Sequence, residues 1–267
     1  MTTPGSPPGA PPPGGHAPPP GGFEGGFYPP PGAYDPNAGG PPGYPPPIVG
    51  WSPVDAIVFG WNALNKNLAG IGLGIGIAFA VIFVPGQVIG MIGAGLTSAT
   101  GERAFGSLSR LVSTGVGIVL EALLLGGVIE SALRTARGEI VALGDVFNGY
   151  KYFVPFLIAT LLYSIAVGIG TLLCLVPGII LALGLGLYGQ LIVDRGLNGV
   201  DALKASWELT MGHKVQLLVY ALLCVPVLVA GALLCGVGAL FGSLPVIILS
   251  SAYIYLKLRG QEPRLPA

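Results

Sequence analysis

The chain has 267 residues with 12 basic and 12 acidic side chains, so its formal net charge is zero. Charged residues make up 9% of the sequence and the mean hydropathy is +0.76, whereas an ordinary soluble domain carries about a quarter charged residues. These values exclude a conventional soluble fold and predict an integral membrane protein in contact with the lipid bilayer. They show no basic excess that would favour a nucleic-acid partner.

Residues 1–50 form a segment of unusual composition. They contain 18 of the 26 prolines and 13 of the 45 glycines, and these residues disfavour helix, sheet and core alike. We therefore predict a disordered cytoplasmic tail, a membrane domain over residues 51–260 and a short C-terminal tail over 261–267. The N-terminal tail is either a solvated tether or a docking and weak self-association segment that binds protein partners. The second interpretation depends on its aromatic residues, Phe23, Phe27, Tyr28, Tyr34 and Tyr44.

A short helix is predicted directly after this tail. Ser52 suits the cap position, Pro53 the first helical position, and Asp55 lies three residues after the cap. The apolar face of the helix carries Val54, Ile57, Val58, Trp61 and Leu64. Such a helix lies in the membrane interface, and Trp61 and Lys66 are the anchors expected at headgroup depth.

Six apolar stretches with few charges follow, and each is a candidate span, since a span needs about 20 apolar residues. They cover residues 68–96, 111–133, 153–174, 177–193, 216–235 and 244–258. A turn at Pro85 would leave the rest of the first stretch too short to cross, so we predict one kinked or tilted helix. The turn Val176-Pro177-Gly178 joins the third and fourth spans.

The basic residues fall unevenly on the two sides of these spans. Ten of the twelve lie on the side that holds both termini, and only Arg103 and Arg110 lie on the other. The positive-inside rule places the side rich in Lys and Arg in the cytoplasm. We therefore predict a multi-pass protein with both its N- and C-terminus in the cytoplasm.

The loops between the spans contain an internal repeat. Residues 54–61 return with substitutions at 200–207, and each copy is followed by a lysine and a pair of spans. A looser third copy lies at 140–151. The pattern predicts an all-α bundle of three units, each an interfacial amphipathic helix followed by a transmembrane hairpin; chance similarity of amphipathic helices is the alternative. The anchors of the second and third units are Tyr150, Lys151, Trp207 and Lys214.

Several segments resemble a known family. They are Arg134-Thr135-Ala136-Arg137-Gly138-Glu139, Asp145-Val146-Phe147-Asn148-Gly149-Tyr150-Lys151, the Val176-Pro177-Gly178 turn, and Ser206-Trp207 with Gly212-His213-Lys214. Together they resemble a largely uncharacterised bacterial family of six-span membrane proteins, related in pattern to the membrane domain of some glycerophosphodiester phosphodiesterases. The resemblance implies a helical bundle of the bacterial cytoplasmic (inner) membrane without an established activity. Phosphodiesterase activity is not implied, because the sequence contains no soluble phosphodiesterase domain.

The sequence offers little that can carry catalysis. Its two histidines, His16 and His213, lie in the tail and beside a span, so they support neither a Ser/His/Asp arrangement nor a histidine-rich metal site. Close helix packing explains the glycine-rich run at 72–76 better than a phosphate loop does. Small residues four apart, such as Gly86 and Gly90, predict further close contacts. We expect no enzyme activity, no cofactor and no metal.

Glu121 is the exception, because it lies near the middle of the second span, where an ionised carboxylate is costly. Three interpretations stay open: a hydrogen-bonded structural side chain, a proton- or cation-binding position in a transport path, or a contact with a lipid headgroup through a water defect. Gln87 and Gln190 are its candidate partners inside the spans. Glu130 is expected to pair with Arg134 four residues later.

Three functions are compatible with this sequence. The favoured one is a non-enzymatic scaffold or accessory subunit of the membrane that recruits partners through its tail and amphipathic helices. The alternatives are a small transporter or channel-like protein that uses Glu121, and a lipid-handling accessory module suggested by the family resemblance. The oligomeric state stays open.

Overall fold

The computed structural model describes residues 50–233 and 237–266. Within these residues the protein is helical and contains no β-strand, which confirms the predicted all-α fold. The α-helices are α1 Pro53–Lys66, α2 Leu73–Thr100, α3 Arg103–Ala136, α4 Phe153–Leu173, α5 Leu175–Leu185, α6 Tyr188–Arg195, α7 Gly199–Leu209, α8 Lys214–Leu233 and α9 Leu244–Leu258. Short π-helical turns, Leu68–Gly72 and Ala239–Ser243, precede α2 and α9, and a 3₁₀ helix, Leu143–Tyr152, precedes α4. Apart from Gly50, the predicted tail lies outside the described residues.

Six helical stretches are long and apolar enough to cross a membrane, as predicted. They are Leu68–Thr100, Arg103–Ala136, Leu143–Leu173, Leu175–Arg195, Lys214–Leu233 and Ala239–Leu258. The first two contain 33 and 34 residues, and are therefore about 50 Å long at a rise of about 1.5 Å per residue. The second begins well before the predicted start at Leu111, because helix-compatible polar residues extend it beyond the apolar run. α2 continues through Pro85, which confirms a single first span.

The sequence predicted the fourth span as one continuous helix. In the structure it consists of two helices, α5 and α6, with a break at Gly186 and Leu187. Ser206 on α7 satisfies backbone groups at this break. Its hydroxyl accepts a hydrogen bond from the Leu187 N–H at 3.1 Å and donates one to the Gly184 carbonyl at 3.0 Å. Irregular backbone within a membrane bundle requires such partners. The break therefore depends on a tertiary contact that no local pattern of the fourth span indicates.

Each of the three predicted units packs on the other two. The first consists of α1–α3, the second of the 3₁₀ helix with α4–α6, and the third of α7–α9. The 3₁₀ helix packs on α2 and α3, α7 packs on α4, α5 and α6, and α1 packs on α8 and α9. Each leading helix thus docks on the hairpin of the unit before it, and α1 closes the order by docking on the third unit. Head-to-tail contacts of this kind form a ring when they close.

The two close copies of the repeat bury equivalent positions, which supports a repeat against chance similarity. The equivalent buried residues are Ala56 and Ala202, and Gly60 and Ser206. By contrast, the large apolar residues Val54, Val58 and Trp61 of α1 lie on an exposed face. In a bilayer, small residues allow helices to approach one another while large apolar side chains can remain in lipid. The predicted apolar face of α1 therefore mostly faces away from the protein.

The leading segment of the second unit departs from the predicted amphipathic α-helix. It is a 3₁₀ helix that begins at Leu143 and leaves helical geometry at Asn148. Gly149 brings it against the backbone of α3, since a Cβ at this position would lie 2.6 Å from the Leu123 carbonyl oxygen. We attribute its conformation to this close docking.

Small residues also line the other contacts between units. Gly60 lies against Ser250 and the Val246 carbonyl of α9, and Gly127 of α3 lies against the Val146 carbonyl of the 3₁₀ helix. A Cβ at either glycine would overlap these atoms. Lipid tails are as apolar as leucine, so close backbone approach, rather than hydrophobic burial, holds such helices together.

Close packing was predicted for two sets of glycines, and the structure shows it for only one of them. The run at 72–76 packs closely, as predicted, with Gly74 against Val146 and Gly76 against the ring of Phe241. The prediction for Gly86 and Gly90 is wrong: a Cβ at Gly90 would meet nothing within 4 Å, and one at Gly86 would just reach 4.0 Å. Both residues instead line a cavity between α2 and α3.

Candidate functional site

Glu121 lies on α3 at this cavity, which has a volume of about 580 Å³. Thr114, Gly117 and Glu121 are three and four residues apart and therefore share the face of α3 that lines the cavity. α2 contributes Gly86 and Gln87. The glycines leave the space open, and the carboxyl, amide and hydroxyl groups make its otherwise apolar lining partly polar.

The structure brings one of the two predicted glutamine partners to Glu121. Gln87 lines the same cavity, whereas Gln190 on α6 donates a hydrogen bond to the Ser251 hydroxyl on α9 at 3.1 Å. Among the described residues, Glu121 forms no ion pair and no side-chain hydrogen bond. The carboxyl group is therefore half-buried at a cavity without a protein group that holds it.

Two tyrosines that sequence reasoning missed lie near Glu121. The Tyr188 hydroxyl on α6 is 3.1 Å from the Thr160 hydroxyl on α4, and the ring centroids of Tyr163 and Tyr188 are 5.5 Å apart. Tyr163 and Tyr188 belong to α4 and α6, and both of these helices pack on α3, which carries Glu121. No local spacing relates α3 to α4 and α6, so only the fold brings this carboxyl group and these hydroxyls together.

A carboxyl group at a partly polar cavity can hold a proton or a small cation. The Glu121 carboxyl lines the cavity together with the Gln87 amide and the hydroxyls of Ser113 and Thr114, and all of these groups can form hydrogen bonds. Within residues 50–233 and 237–266, no group of three or more His, Cys, Asp or Glu side chains is placed to hold a metal ion. Glu121 therefore remains the candidate functional residue inside the spans.

The six predicted interfacial anchors stand at or just before the starts of the three hairpins. The ammonium of Lys214 lies 3.4 Å from the centroid of the Trp207 ring, which is a cation–π contact. Trp61 and Tyr150 are exposed. Lys66 and Lys151 both contact other segments of the chain. The depth of these side chains in a membrane stays a prediction.

The spacing of Glu130 and Arg134 predicted that they form an ion pair. In the structure Glu130 pairs with Lys151 instead, at 2.9 Å. Arg134 pairs instead with Glu139 at 2.7 Å and with Asp145 at 3.3 Å. The prediction was wrong because the chain reverses after α3 and the 3₁₀ helix docks back on it. That reversal places three charged residues of the loop beside the end of α3.

An ion-pair network joins the ends of three spans. Arg137, directly after α3, pairs with Asp194 of α6. Tyr255 of α9 donates a hydrogen bond to the other oxygen of the same carboxylate at 2.7 Å. The Asp194 side chain is only 12% exposed, whereas that of Arg137 is 37% exposed, so the network reaches from the bundle to its surface.

The residues after α9 run back across the same end. The backbone N–H of Arg264 donates to the Ala136 carbonyl at 2.8 Å, and Lys66 donates to the Pro266 carbonyl at 2.9 Å. The short C-terminal tail therefore fastens the ends of α1 and α3 together. We refer to this end as the basic end, because ten of the twelve basic residues of the sequence belong to it.

The fold and its six apolar stretches define a multi-pass α-helical membrane protein. Within that class, the chain belongs to a family described as a domain of unknown function (DUF7847), whose model matches residues 53–258. The matched residues begin with the first residue of α1 and end with the last residue of α9. They therefore contain all three units of the ring.

Mycobacterial proteins are similar to this chain. The uncharacterized protein Rv2560 of Mycobacterium tuberculosis is 33% identical over 235 residues, which cover 80% of this chain and 70% of that protein. The uncharacterized protein Mb2590 of Mycobacterium bovis has the same identity and coverage. No solved structure matches the chain. These matches confirm the resemblance to an uncharacterised family, and none of them supports the relation to glycerophosphodiester phosphodiesterases.

Proposed function

We propose that the protein is a non-enzymatic scaffold or accessory subunit of the bacterial cytoplasmic membrane. The observation that carries this proposal is that segments of all three units are joined to one another at the basic end. There, the leading helices, the C-terminal residues and the network around Asp194 join all three units into one interlocked surface. Its excess of Lys and Arg favours a cytoplasmic orientation, with both termini on that side.

Trp51 fixes the point at which the N-terminal segment joins this surface. Its side chain is 4% exposed and belongs to an apolar cluster with Leu187, Leu217, Ile254 and Leu258. Because Ile254 and Leu258 lie at the end of α9, the chain enters the bundle at the basic end. A proline- and glycine-rich segment attached at this point can bring partners to the interlocked surface.

We expect deletion of residues 2–49 to remove partner recruitment while leaving the membrane domain folded, because the deletion spares Trp51 and the helices α1–α9. Proximity labelling in cells that express the protein at its native level measures the change in neighbours. The matched control keeps the length, prolines and glycines of the tail and replaces its five tyrosines and phenylalanines by serine. Loss of neighbours in both variants would assign recruitment to the aromatic residues. An unchanged set of neighbours and unchanged growth after the deletion would remove the tail from the mechanism.

A second candidate function, a small transporter or channel-like protein, is favoured by the cavity at Glu121. If the carboxyl group carries a proton or cation, Glu121→Gln should remove most of the flux through the protein in reconstituted vesicles. Glu102→Gln is the matched control, because Glu102 is exposed in the turn between α2 and α3 and changes the same charge outside the bundle. Wild-type flux that persists in the Glu121→Gln variant would exclude this role.

A further inference from the structure

A second cavity, of about 640 Å³, lies at the basic end between the ends of α6, α7 and α9 and the start of α8. Its apolar lining includes Leu191, Leu209 and Leu258. Two arginines also line it: Arg195 is the last residue of α6, and Arg259 directly follows α9. The cavity therefore combines apolar walls with two guanidinium groups at the end of the spans.

Neither arginine pairs with an acidic side chain of the described residues. Within the part of the chain that the structure describes, no carboxylate oxygen lies within 4.0 Å of Arg195 or Arg259. Other basic residues of this end do form such pairs; they are Arg134, Arg137, Lys151 and Lys257. Asp194 is near enough to attract Arg259, but its two oxygens are already held by Arg137 and Tyr255. Among the described residues, the two guanidinium groups of the cleft therefore form no direct ion pair.

Further donors lie along the same edge of the cleft. His213 Nδ1 donates a hydrogen bond to Gln216 Oε1 at 2.9 Å, which turns the oxygen of this amide to the histidine and leaves the Gln216 amide nitrogen as a donor for a ligand. α8 begins at Lys214, so its first backbone N–H groups lie beside these side chains, and such groups favour an anion. Glu208 is an acidic residue of the lining and weakens the positive potential of the site.

We propose that this cleft binds a phosphate group, supplied either by an anionic phospholipid or by a free phosphate ester. A guanidinium offers a planar pair of N–H donors that matches two phosphate oxygens. Both arginines end membrane helices, where lipid phosphates lie, and the leucines suit the apolar part of a lipid. Basic pockets between transmembrane helices bind anionic headgroups in this way. The inference goes beyond the scaffold role, does not depend on it, and gives the lipid-handling alternative a site.

The test measures lipid binding to the purified full-length protein in detergent. We expect phosphatidylglycerol to be retained in native mass spectra and to raise the unfolding temperature in a saturable manner, whereas zwitterionic phosphatidylcholine does neither. The double variant Arg195→Gln/Arg259→Gln should bind phosphatidylglycerol about 10-fold more weakly or worse, because charge-assisted hydrogen bonds are lost. The control, Arg264→Gln, removes an exposed arginine of the basic end that does not line the cleft, and it should bind like the wild type.

Inorganic phosphate distinguishes the two sources of the ligand. Lipid binding that resists phosphate would assign the site to a headgroup, whereas arginine-dependent binding of phosphate without binding of phosphatidylglycerol would assign it to a free ester. Equal binding of phosphatidylglycerol by the wild type and the Arg195→Gln/Arg259→Gln variant would overturn the proposal, as would equal retention of the two lipids.

Two further variants keep the test decisive if the double glutamine variant does not fold. Arg195→Lys/Arg259→Lys retains both charges and loses the paired donors, so it should bind more weakly than the wild type. Glu208→Gln removes the opposing carboxylate and should bind more tightly. Unchanged affinity in both would contradict a phosphate site at this cleft.

Discussion

Replacing Gly127 by alanine is expected to lower the thermal unfolding temperature of the purified protein markedly. The new Cβ would overlap the Val146 carbonyl and lie 2.8 Å from the Gly149 amide nitrogen. Both are backbone atoms of the docked 3₁₀ helix, so neither can rotate away as a side chain can. Overpacking of this kind costs about 1–3 kcal/mol, and we expect the upper part of that range. Fluorescence-monitored unfolding in detergent measures the change.

Gly115→Ala provides the matched control on the same helix. A Cβ at Gly115 would meet nothing within 4 Å, and alanine is favoured over glycine in a helix by about 1 kcal/mol. This variant should therefore unfold at or above the temperature of the wild type. Equal unfolding temperatures for the two alanine variants would show that the 3₁₀ helix is not seated on α3 as described.

The second large effect is expected for Asp194→Asn. The change removes the charge that Arg137 pairs with and weakens the acceptor of the Tyr255 hydroxyl. Hydrogen bonds to charged groups contribute about 1.5–3 kcal/mol, and the Asp194 carboxylate, whose side chain is 12% exposed, accepts two of them. We expect a lower unfolding temperature together with faster hydrogen exchange in α6 and in the residues after α9.

Glu262→Gln is the comparison for this prediction, because it also neutralises one carboxylate of an ion pair at the basic end. Glu262 pairs with Lys257 at 2.6 Å, but its side chain is 72% exposed. Exposed pairs contribute about 0–1 kcal/mol, so Glu262→Gln should change stability little. If both variants unfold at the same temperature, the Asp194 network does not hold the three spans together.

The closed packing of the three units explains why the family match begins and ends where it does. The matched residues, 53–258, begin with α1 and end with α9, and these are the two helices whose docking closes the ring. Gly60 of α1 lies against Val246 and Ser250 of α9. A chain without α1 would expose that small-residue face, so the first helix belongs to the fold of the domain rather than to its tail.

Part of the candidate site was accessible from the sequence. Glu121 stands out because an acidic residue lies near the middle of an apolar stretch, and this signal can be read without knowing which helices pack around it. Gln87 was one of two candidate partners of Glu121. The sequence could not decide between them, because it does not indicate which helix packs on α3 beside Glu121. Tyr163 and Tyr188 could not be found, because no sequence spacing links α4 and α6 to the middle of α3. Likewise Arg195 and Arg259 counted only as basic residues until the fold brought them to one cleft.

The sequence by itself determined the all-α class and the number of apolar stretches, because lipid imposes hydropathy and length on each span separately. It also indicated the close packing of Gly74 and Gly76. Only the tertiary structure decided the break before α6, the pairing of Glu130 with Lys151, and the ring in which each unit docks on another. These features depend on backbone contacts between segments far apart in the chain. The periodicity of one helix reports which face is apolar, and does not report which helix that face will meet.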